Sequence, residues 1–261
     1  MAESLAVMEK LELEGPVAEL PSLEGVEEIL GYKFENKKLL EEAFTDSSFP
    51  EKGFSYERLE YIGDSVLNLL FTKEHFFQYP DLSPGALTRL RAANVDTEKL
   101  ARVAFKHGFH RFLRHNKPLL EDQIEKFSEA IKEYPLHSNG LVDVPKVLAD
   151  IVESTVGAVF IDTNYCLDSV WKVFKDVLEP IISRETVKIH PVTELYEECQ
   201  KRNLKVKFVD SWRESMAFHV LIEDKLVGRA TYGFKKDIAH NRAAKDALDN
   251  IRSLFTQSSS S

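Results

Sequence analysis

Cysteine is scarce in this chain, because Cys166 and Cys199 are the only two among 261 residues. Neither stands at the spacing of a zinc or redox motif. The scarcity excludes a disulfide scaffold, and we interpret both side chains as free thiols in a reducing compartment.

Long apolar runs are also missing. No stretch of about 18 apolar residues occurs, which argues against a membrane-spanning helix. The first twenty residues, MAESLAVMEKLELEGPVAEL, are acidic and lack the basic start and apolar centre of a targeting peptide. We therefore expect a protein that is not secreted, and since no basic nuclear-import run is present, nucleus and cytoplasm both stay open.

Positive charge is in deficit, with 34 Lys and Arg against 43 Asp and Glu, a net charge of −9. Taken whole, this argues against a non-specific nucleic-acid binder. Many of the acids, however, lie near the N-terminus and in residues 121–133, whereas the region after His190 is nearly balanced and carries local Lys/Arg pairs. Net charge therefore does not exclude a local binding surface, and residues 121–133 are either a solvated helix or a contact surface for protein partners.

Periodicity divides the chain into two parts. Helical spacing dominates as far as the linker SRETVKIHP, after which a helix, alternating strand patterns and a last helix follow in the order α-β-β-β-α. The predicted fold is mainly α, with an all-helical part followed by a small α+β part. The predicted boundaries are a disordered acidic leader, the helical domain, the α+β domain and a disordered tail, at residues 1–24, 25–183, 190–256 and 257–261.

The stretch ERLEYIGDSVL, residues 57–67, places two acids beside an apolar helix stripe. At about 100° per residue, Glu60 and Asp64 share one flank of that stripe. Like charges four residues apart destabilise a helix by roughly 0.2–0.5 kcal/mol, and a bound cation would reverse that sign. The stretch therefore suggests a metal site.

A second acid pair lies in KVLADIVESTVGAVFID. Asp150 and Glu153 are three apart in a segment that is otherwise nearly all apolar or small, and Gly157 falls on the same helix face. A helix that is apolar on most of its circumference is buried, and unpaired buried carboxylates are costly. These two acids are therefore paired, metal-bound or neutral.

Two interpretations of the four acids remain open from spacing alone. Four hard oxygen donors without accompanying His or Cys suit Mg²⁺ and not zinc, and the natural chemistry of such a site is phosphate-ester hydrolysis. The alternative is a set of structural salt bridges. Its candidate cations are Arg58, Arg89, Arg91 and Lys146.

The motifs themselves resemble those of the ribonuclease III family. ERLEYIGDSVL is similar to the signature ERLEFLGDAVL, KVLADIVESTVGAVFID to the second acidic motif, and PGALTRLRAANVDTEKLARVA to a third recurring block. The resemblance implies an all-helical endonuclease domain that dimerises and places two acidic sites across duplex RNA. It further implies cleavage to 5′-phosphate and 3′-hydroxyl ends with short 3′ overhangs.

The resemblance also implies roles for individual residues. Asp64 and Glu153 are expected to be catalytic, and Lys146 to contact phosphate or the acidic cluster. The expected ligands of Mg²⁺, for which Mn²⁺ can substitute, are Glu60, Asp64, Asp150 and Glu153.

The C-terminal part resembles a double-stranded RNA-binding domain, in PVTELYEECQ and in KKDIAHNRAAKDAL. By that resemblance Lys235 and Lys236 would contact phosphates and Glu197 would face the minor groove. The usual Gly-Pro-x-His turn is missing from SWRESMAF, and Asp237 or His240 stands where a third basic residue is expected. The sequence therefore predicts weak autonomous RNA binding by this part.

The acidic leader and the degenerate C-terminal part look more like plant ribonuclease III-like proteins than like Dicer. The leading hypothesis is a homodimeric, Mg²⁺-dependent endoribonuclease specific for double-stranded RNA. The alternative is a catalytically silent RNA-binding protein or scaffold that keeps the fold. Such relatives normally lose one or more acidic ligands, and this sequence has all four.

Overall fold

The structure, a computed structural model, describes residues 22–50 and 53–258, with side chains described as far as Ile251. The predicted leader lies almost wholly outside these residues, as do the last three residues of the predicted tail. Both therefore stay predictions there. The final helix continues to Ser258, two residues into the segment predicted as tail.

The first part of the chain is helical, as the periodicity predicted. Two short 3₁₀ helices, at Phe109–Phe112 and Ile131–Glu133, also occur in this part. The eight α-helices are α1 Glu24–Leu30, α2 Lys37–Ala43, α3 Glu57–Gln78, α4 Pro84–Val95, α5 Thr97–His107, α6 Leu120–Ala130, α7 Lys146–Asp162 and α8 Leu167–Phe174.

Local sequence signals account for the start of several helices. The Ser83 hydroxyl accepts a hydrogen bond from the Ala86 backbone N–H at 3.3 Å, and Pro84 occupies the first position of α4. The Asp96 carboxylate caps α5 in the same way, through the backbone N–H of Lys99 at 2.8 Å. These caps satisfy backbone donors that the first turn of a helix leaves without a partner.

Helix α7 forms the centre of the helical part. From Val147 to Val159 nearly every side chain on it is buried, and α2, α3, α5 and α8 pack around it. Helix α3 contributes a buried stripe that includes Leu59, Val66 and Leu70 and leaves its opposite face exposed. The core of this part is therefore arranged around the helix that carries the second acid pair.

The C-terminal part is a three-stranded antiparallel sheet covered by two helices. It comprises α9 Pro191–Gln200, β1 Val206–Ser211, the short α10 Trp212–Ser215, β2 Ala217–Ile222, β3 Lys225–Thr231 and α11 Lys236–Ser258. The strands lie in the order β1-β2-β3, with Val206 opposite Ile222 and Ala217 opposite Thr231. The α-β-β-β-α order predicted from the alternating patterns is confirmed, with α10 as an insertion between the first two strands.

Small residues let α11 approach the sheet closely. A Cβ at Gly228 would lie 2.6 Å from the Ala243 carbonyl oxygen and 2.6 Å from the Ala247 side chain. Cys199 is a free thiol buried in this small core, whereas the other free thiol, Cys166, is exposed.

The two parts meet where Gly140 and Leu141 contact α11. The Asn241 amide donates to the Gly140 carbonyl and the Arg242 guanidinium to the Leu141 carbonyl, each at 2.9 Å. The junction lies only a few residues before α7.

Within the part of the chain that the structure describes, no helix has the length and apolar character needed to cross a bilayer.

Candidate functional site

A close crossing of α3 and α7 positions the acidic residues. A Cβ at Gly63 would lie 1.8 Å from the Glu153 carbonyl oxygen, and one at Gly157 would lie 2.2 Å from the Leu59 carbonyl oxygen. Each helix therefore needs a glycine where the other passes, since an added methyl group would overlap backbone atoms. The room that the missing side chain of Gly157 leaves is filled by the backbone of α3.

This crossing brings together acids from both predicted pairs. Carboxylate oxygens of Glu60, Asp150 and Glu153 all lie within 4.8 Å of one another. We call these three residues the acidic cluster. Asp150 is buried and the other two are partly buried, so water screens their mutual repulsion less than it would at an open surface.

Lys146, the first residue of α7, is the cation of the cluster. Its ammonium donates to Glu60 Oε1 at 2.8 Å and to Asp150 Oδ1 at 2.5 Å. Burial alone would lower the pKa of Lys146, but these two hydrogen bonds raise it above its ordinary value. Lys146 therefore stays charged and offsets one of the three carboxylate charges, so that two negative charges are left when all groups are ionised.

That excess charge shifts the pKa values of the cluster upward. Burial, followed by the charges of Asp150, Asp64 and Glu60, raises the pKa of Glu153 to about 7. Burial, with the charge of Glu60, also raises the pKa of Asp150 despite the hydrogen bond from Lys146. The cluster therefore favours binding of a cation, and its oxygen donors are of the kind that Mg²⁺ prefers.

Asp64 lies outside the acidic cluster as the structure has it. Its side chain is exposed and accepts a hydrogen bond from the Asn68 amide at 2.9 Å, although its charge is near enough to raise the pKa of Glu153. Three of the four predicted metal ligands are thus together, and the fourth lies at their edge, one helical turn from Glu60.

Sequence reasoning missed Tyr56, the residue just before α3. Its hydroxyl donates to Asp150 Oδ2 at 3.4 Å, and burial raises its pKa, so it is a neutral donor to the cluster. The signal was available, since Tyr56 stands four residues before Glu60 on the same helical face. Neighbouring Asp46, buried beneath it, is paired with Lys117 at 2.5 Å.

The four candidate cations of the salt-bridge interpretation differ in their positions. Of these, Lys146 alone pairs with the acidic cluster in the described ion pairs. Because Lys146 offsets only one of three acidic charges, salt bridging by itself does not balance the site.

Two of the three predicted RNA contacts of the C-terminal part, both lysines, are paired within the protein. Lys235 pairs with Asp143 of the helical part at 2.5 Å, and Lys236 pairs with Asp210 of β1 at 2.5 Å. Glu197 lies exposed on α9. The role predicted for these three residues in RNA binding stays a prediction.

Comparison with known proteins identifies a family and several relatives. Residues 57–164, which include all four predicted ligands and Lys146, match the family model described as Ribonuclease III domain. The chain is 54% identical over 237 residues to the rice Ribonuclease 3-like protein 3, covering 89% of this chain and 79% of that protein.

Two further relatives are matched over smaller shares of their length. The Arabidopsis Ribonuclease 3-like protein 2 is 44% identical over 251 residues, which are 91% of this chain and 62% of that protein. The rice Endoribonuclease Dicer homolog 1 is 45% identical over 228 residues, covering 84% of this chain but 12% of the Dicer. The similarity thus extends over both parts of the chain.

Proposed function

Because this chain belongs to the ribonuclease III family, we propose that it cuts double-stranded RNA with a bound divalent metal. Family membership makes it a ribonuclease III-type endoribonuclease of RNA processing. The duplex substrate, the metal and the ends of the product, 5′-phosphate and 3′-hydroxyl with short 3′ overhangs, are the proposal. It is carried by one observation, the excess negative charge of the acidic cluster.

The residues present fit a hard divalent cation. Glu60, Asp150 and Glu153 would hold it directly or through water, and Asp64 stands one turn away at the edge of the cluster. Bound Mg²⁺, or Mn²⁺ in its place, would neutralise phosphate charge and activate water for attack on phosphorus.

Lys146 has a second task in this arrangement. An ammonium has three donors, and two of them are used by Glu60 and Asp150. The third is available to a phosphate oxygen of the substrate beside the cluster. Tyr56 meanwhile holds Asp150 from its buried side, which keeps that carboxylate oriented toward Lys146 and Glu60.

We propose a homodimer through the helical part, because one acidic cluster per chain cuts one strand. The exposed face of α3 presents a stripe of large apolar side chains at helical spacing. Tyr61, Leu69 and Phe76 are 81%, 51% and 63% exposed and lie within one side of the helix. Leu69→Glu is expected to shift the protein from dimer to monomer in sedimentation, and an unchanged dimer would place the interface elsewhere.

Cleavage of a long, end-labelled duplex RNA with Mg²⁺ tests the proposed function. We expect the wild type to cut the duplex and leave a single-stranded control intact, and Glu153→Gln to cut at least roughly 100-fold more slowly. Glu125→Gln makes the same change on an exposed face of α6 and should cut normally. A wild type that retains the duplex without cutting it would replace this proposal by a catalytically silent RNA-binding protein.

A further inference from the structure

A cleft of about 420 Å³ lies at the junction of the two parts, beside the acidic cluster. Helix α6, the loop that leads into α7, and the segment between β3 and α11 form its walls. The charged residues that line it, together with one exposed aromatic residue, are Asp122, Lys126, Asp143, Lys146, Phe234 and Lys235. Since Lys146 lines the cleft and also donates to Glu60 and Asp150, the cleft opens directly beside the proposed site of cleavage.

Phe234 presents an aromatic ring to this cleft. It immediately precedes the paired lysine Lys235 and is 77% exposed, so core packing does not account for it. The Tyr232 ring stands edge-on at 5.8 Å, and Tyr232 is itself held by a 3.3 Å hydrogen bond to Asp143 and by the Arg242 guanidinium over its ring. The exposed Phe234 ring therefore packs against a Tyr232 ring whose position is held by two other contacts.

One lysine that lines the cleft, Lys126, has no carboxylate partner among the described ion pairs. Lys146 and Lys235 are paired with carboxylates, whereas Lys126 forms none of the ion pairs found in the described residues. Its ammonium lies over one face of the Phe234 ring, 5.8 Å from the ring centroid. A largely exposed aromatic ring with an ammonium over one face matches the two ends of a nucleotide, a base that stacks on the other face and a phosphate that takes a charged donor.

We propose that this cleft binds an unpaired RNA nucleotide next to the duplex, with its base on Phe234 and its phosphate on Lys126. The inference deepens the proposed function and rests on it, because the neighbouring acidic cluster must act on the same RNA. Inside a duplex both faces of a base are already stacked, so the ring can stack on an unpaired base and not within the interior of a duplex. The preferred substrate class is thus duplex RNA with a single-stranded extension, and Phe234 determines that preference.

Binding of three probes to the full chain tests this inference, in EDTA and with RNA integrity checked on a gel. The probes are a blunt duplex, the same duplex with a short 3′ or 5′ extension, and the extension alone as single-stranded RNA. We expect the wild type to bind either the 3′-extended or the 5′-extended duplex roughly tenfold more tightly than the blunt duplex. A tenfold gain in affinity corresponds to the free energy of one base–aromatic stack. Phe234→Ala should remove that preference while leaving the blunt duplex unaffected.

Matched variants separate stacking from a structural effect. Phe234→Tyr keeps a ring and should keep the preference, and Phe234→Leu keeps apolar volume and should lose it. Leu226→Ala removes an exposed apolar side chain on β3, outside the cleft, and should change nothing. A 2-aminopurine in the extension should be quenched by the wild type and not by Phe234→Leu.

The outcomes distinguish this inference from the proposed function. Equal binding of blunt and extended duplexes by the wild type would overturn the inference and leave the proposed function standing. An equal loss for both duplexes in Phe234→Ala would also overturn it. No duplex binding together with Phe234-dependent binding of the single strand would keep the cleft and overturn the duplex substrate, and no binding of any probe would overturn both.

Discussion

The acidic cluster and the start of α11 differ in how their charges are balanced. The cluster holds three carboxylates, those of Glu60, Asp150 and Glu153, and one ammonium, that of Lys146, which pairs with the first two. At the start of α11 each lysine has a carboxylate of its own, and both pairs are partly exposed. One region holds an excess of charge, and the other holds none.

This difference in charge balance shows which region would be stabilised by a bound ligand. Carboxylates gathered in a partly buried site cost free energy that a bound cation removes. Exposed ion pairs are worth little and can be exchanged for another partner at small cost. We therefore expect changes in the cluster to have large effects and changes in the lysine pairs to have small ones.

Forcing α3 and α7 apart should have the largest effect, because it disrupts the helix packing that brings the acidic cluster together. Gly63→Ala places a methyl group 1.8 Å from the Glu153 carbonyl oxygen, so the helices must separate. We expect a loss of roughly 3 kcal/mol or more in the free energy of unfolding, at the upper end of overpacking effects. Chemical denaturation followed by circular dichroism measures it.

Gly85→Ala provides the matched control for that change. Gly85 lies in the first turn of α4 with nothing within 4 Å of the added methyl group. Alanine there should leave stability unchanged or raise it by up to about 1 kcal/mol. Equal stabilities of the two variants would contradict the close crossing on which the cluster depends.

Removing the charge of Glu153 should change how the free energy of unfolding depends on pH. Since the folded state raises the pKa of Glu153 from 4.5 to about 7, the protonated form is favoured in the fold. The resulting stability is fully present below pH 4.5 and is lost as pH rises to about 7, by roughly 2–3 kcal/mol in metal-free protein. Glu153→Gln lacks this loss, so metal-free variant and wild type should diverge across that window, with the variant the more stable above it.

Added Mg²⁺ should reverse that order at pH 8. The wild type gains stability by binding the ion in the folded state alone, and Glu153→Gln gains less. Glu125→Gln, an exposed change on α6, should follow the wild type at every pH and Mg²⁺ concentration. If the difference in free energy of unfolding between Glu153→Gln and the wild type were the same at every pH, Glu153 would be ionised normally. The cluster would then carry no excess charge.

The sequence predicted the elements of this comparison better than their contacts. Periodicity placed Glu60 and Asp64 on one face of α3, and Asp150 and Glu153 on one face of α7, and both helices are found. It could not show that Asp64 lies outside the cluster, because spacing along a helix says which residues share a face and not what lies opposite that face.

The junction contacts were beyond sequence reasoning for the same reason. Lys235 and Asp143 lie in different parts of the chain, and each looks like an ordinary exposed charge in its own segment. The family resemblance assigned Lys235 to phosphate, since it describes a binding surface and not how that surface packs against a neighbouring domain. Only the docked arrangement of both parts brings Asp143 and Phe234 to one cleft.

The smallest effect should come from freeing one lysine. Asp143→Asn removes the carboxylate paired with Lys235, and Asp210→Asn removes the one paired with Lys236. Each should tighten binding of a blunt RNA duplex by about two- to fivefold, because an exposed ion pair is worth less than about 1 kcal/mol. Titration at several salt concentrations measures the gain and its dependence on one added phosphate contact.

The two variants should differ at the junction, and that difference decides the role of the docked arrangement. Asp143→Asn also leaves one acceptor oxygen where the Tyr232 hydroxyl and Lys235 use two, so hydrogen exchange of residues 140–144 should speed up, whereas Asp210→Asn leaves the junction intact. If Asp143→Asn instead weakened duplex binding while Asp210→Asn tightened it, the Lys235–Asp143 pair would belong to the RNA-binding state. The start of α11 would then be held in place for substrate, as the acidic cluster is, and the contrast between the two regions would fail.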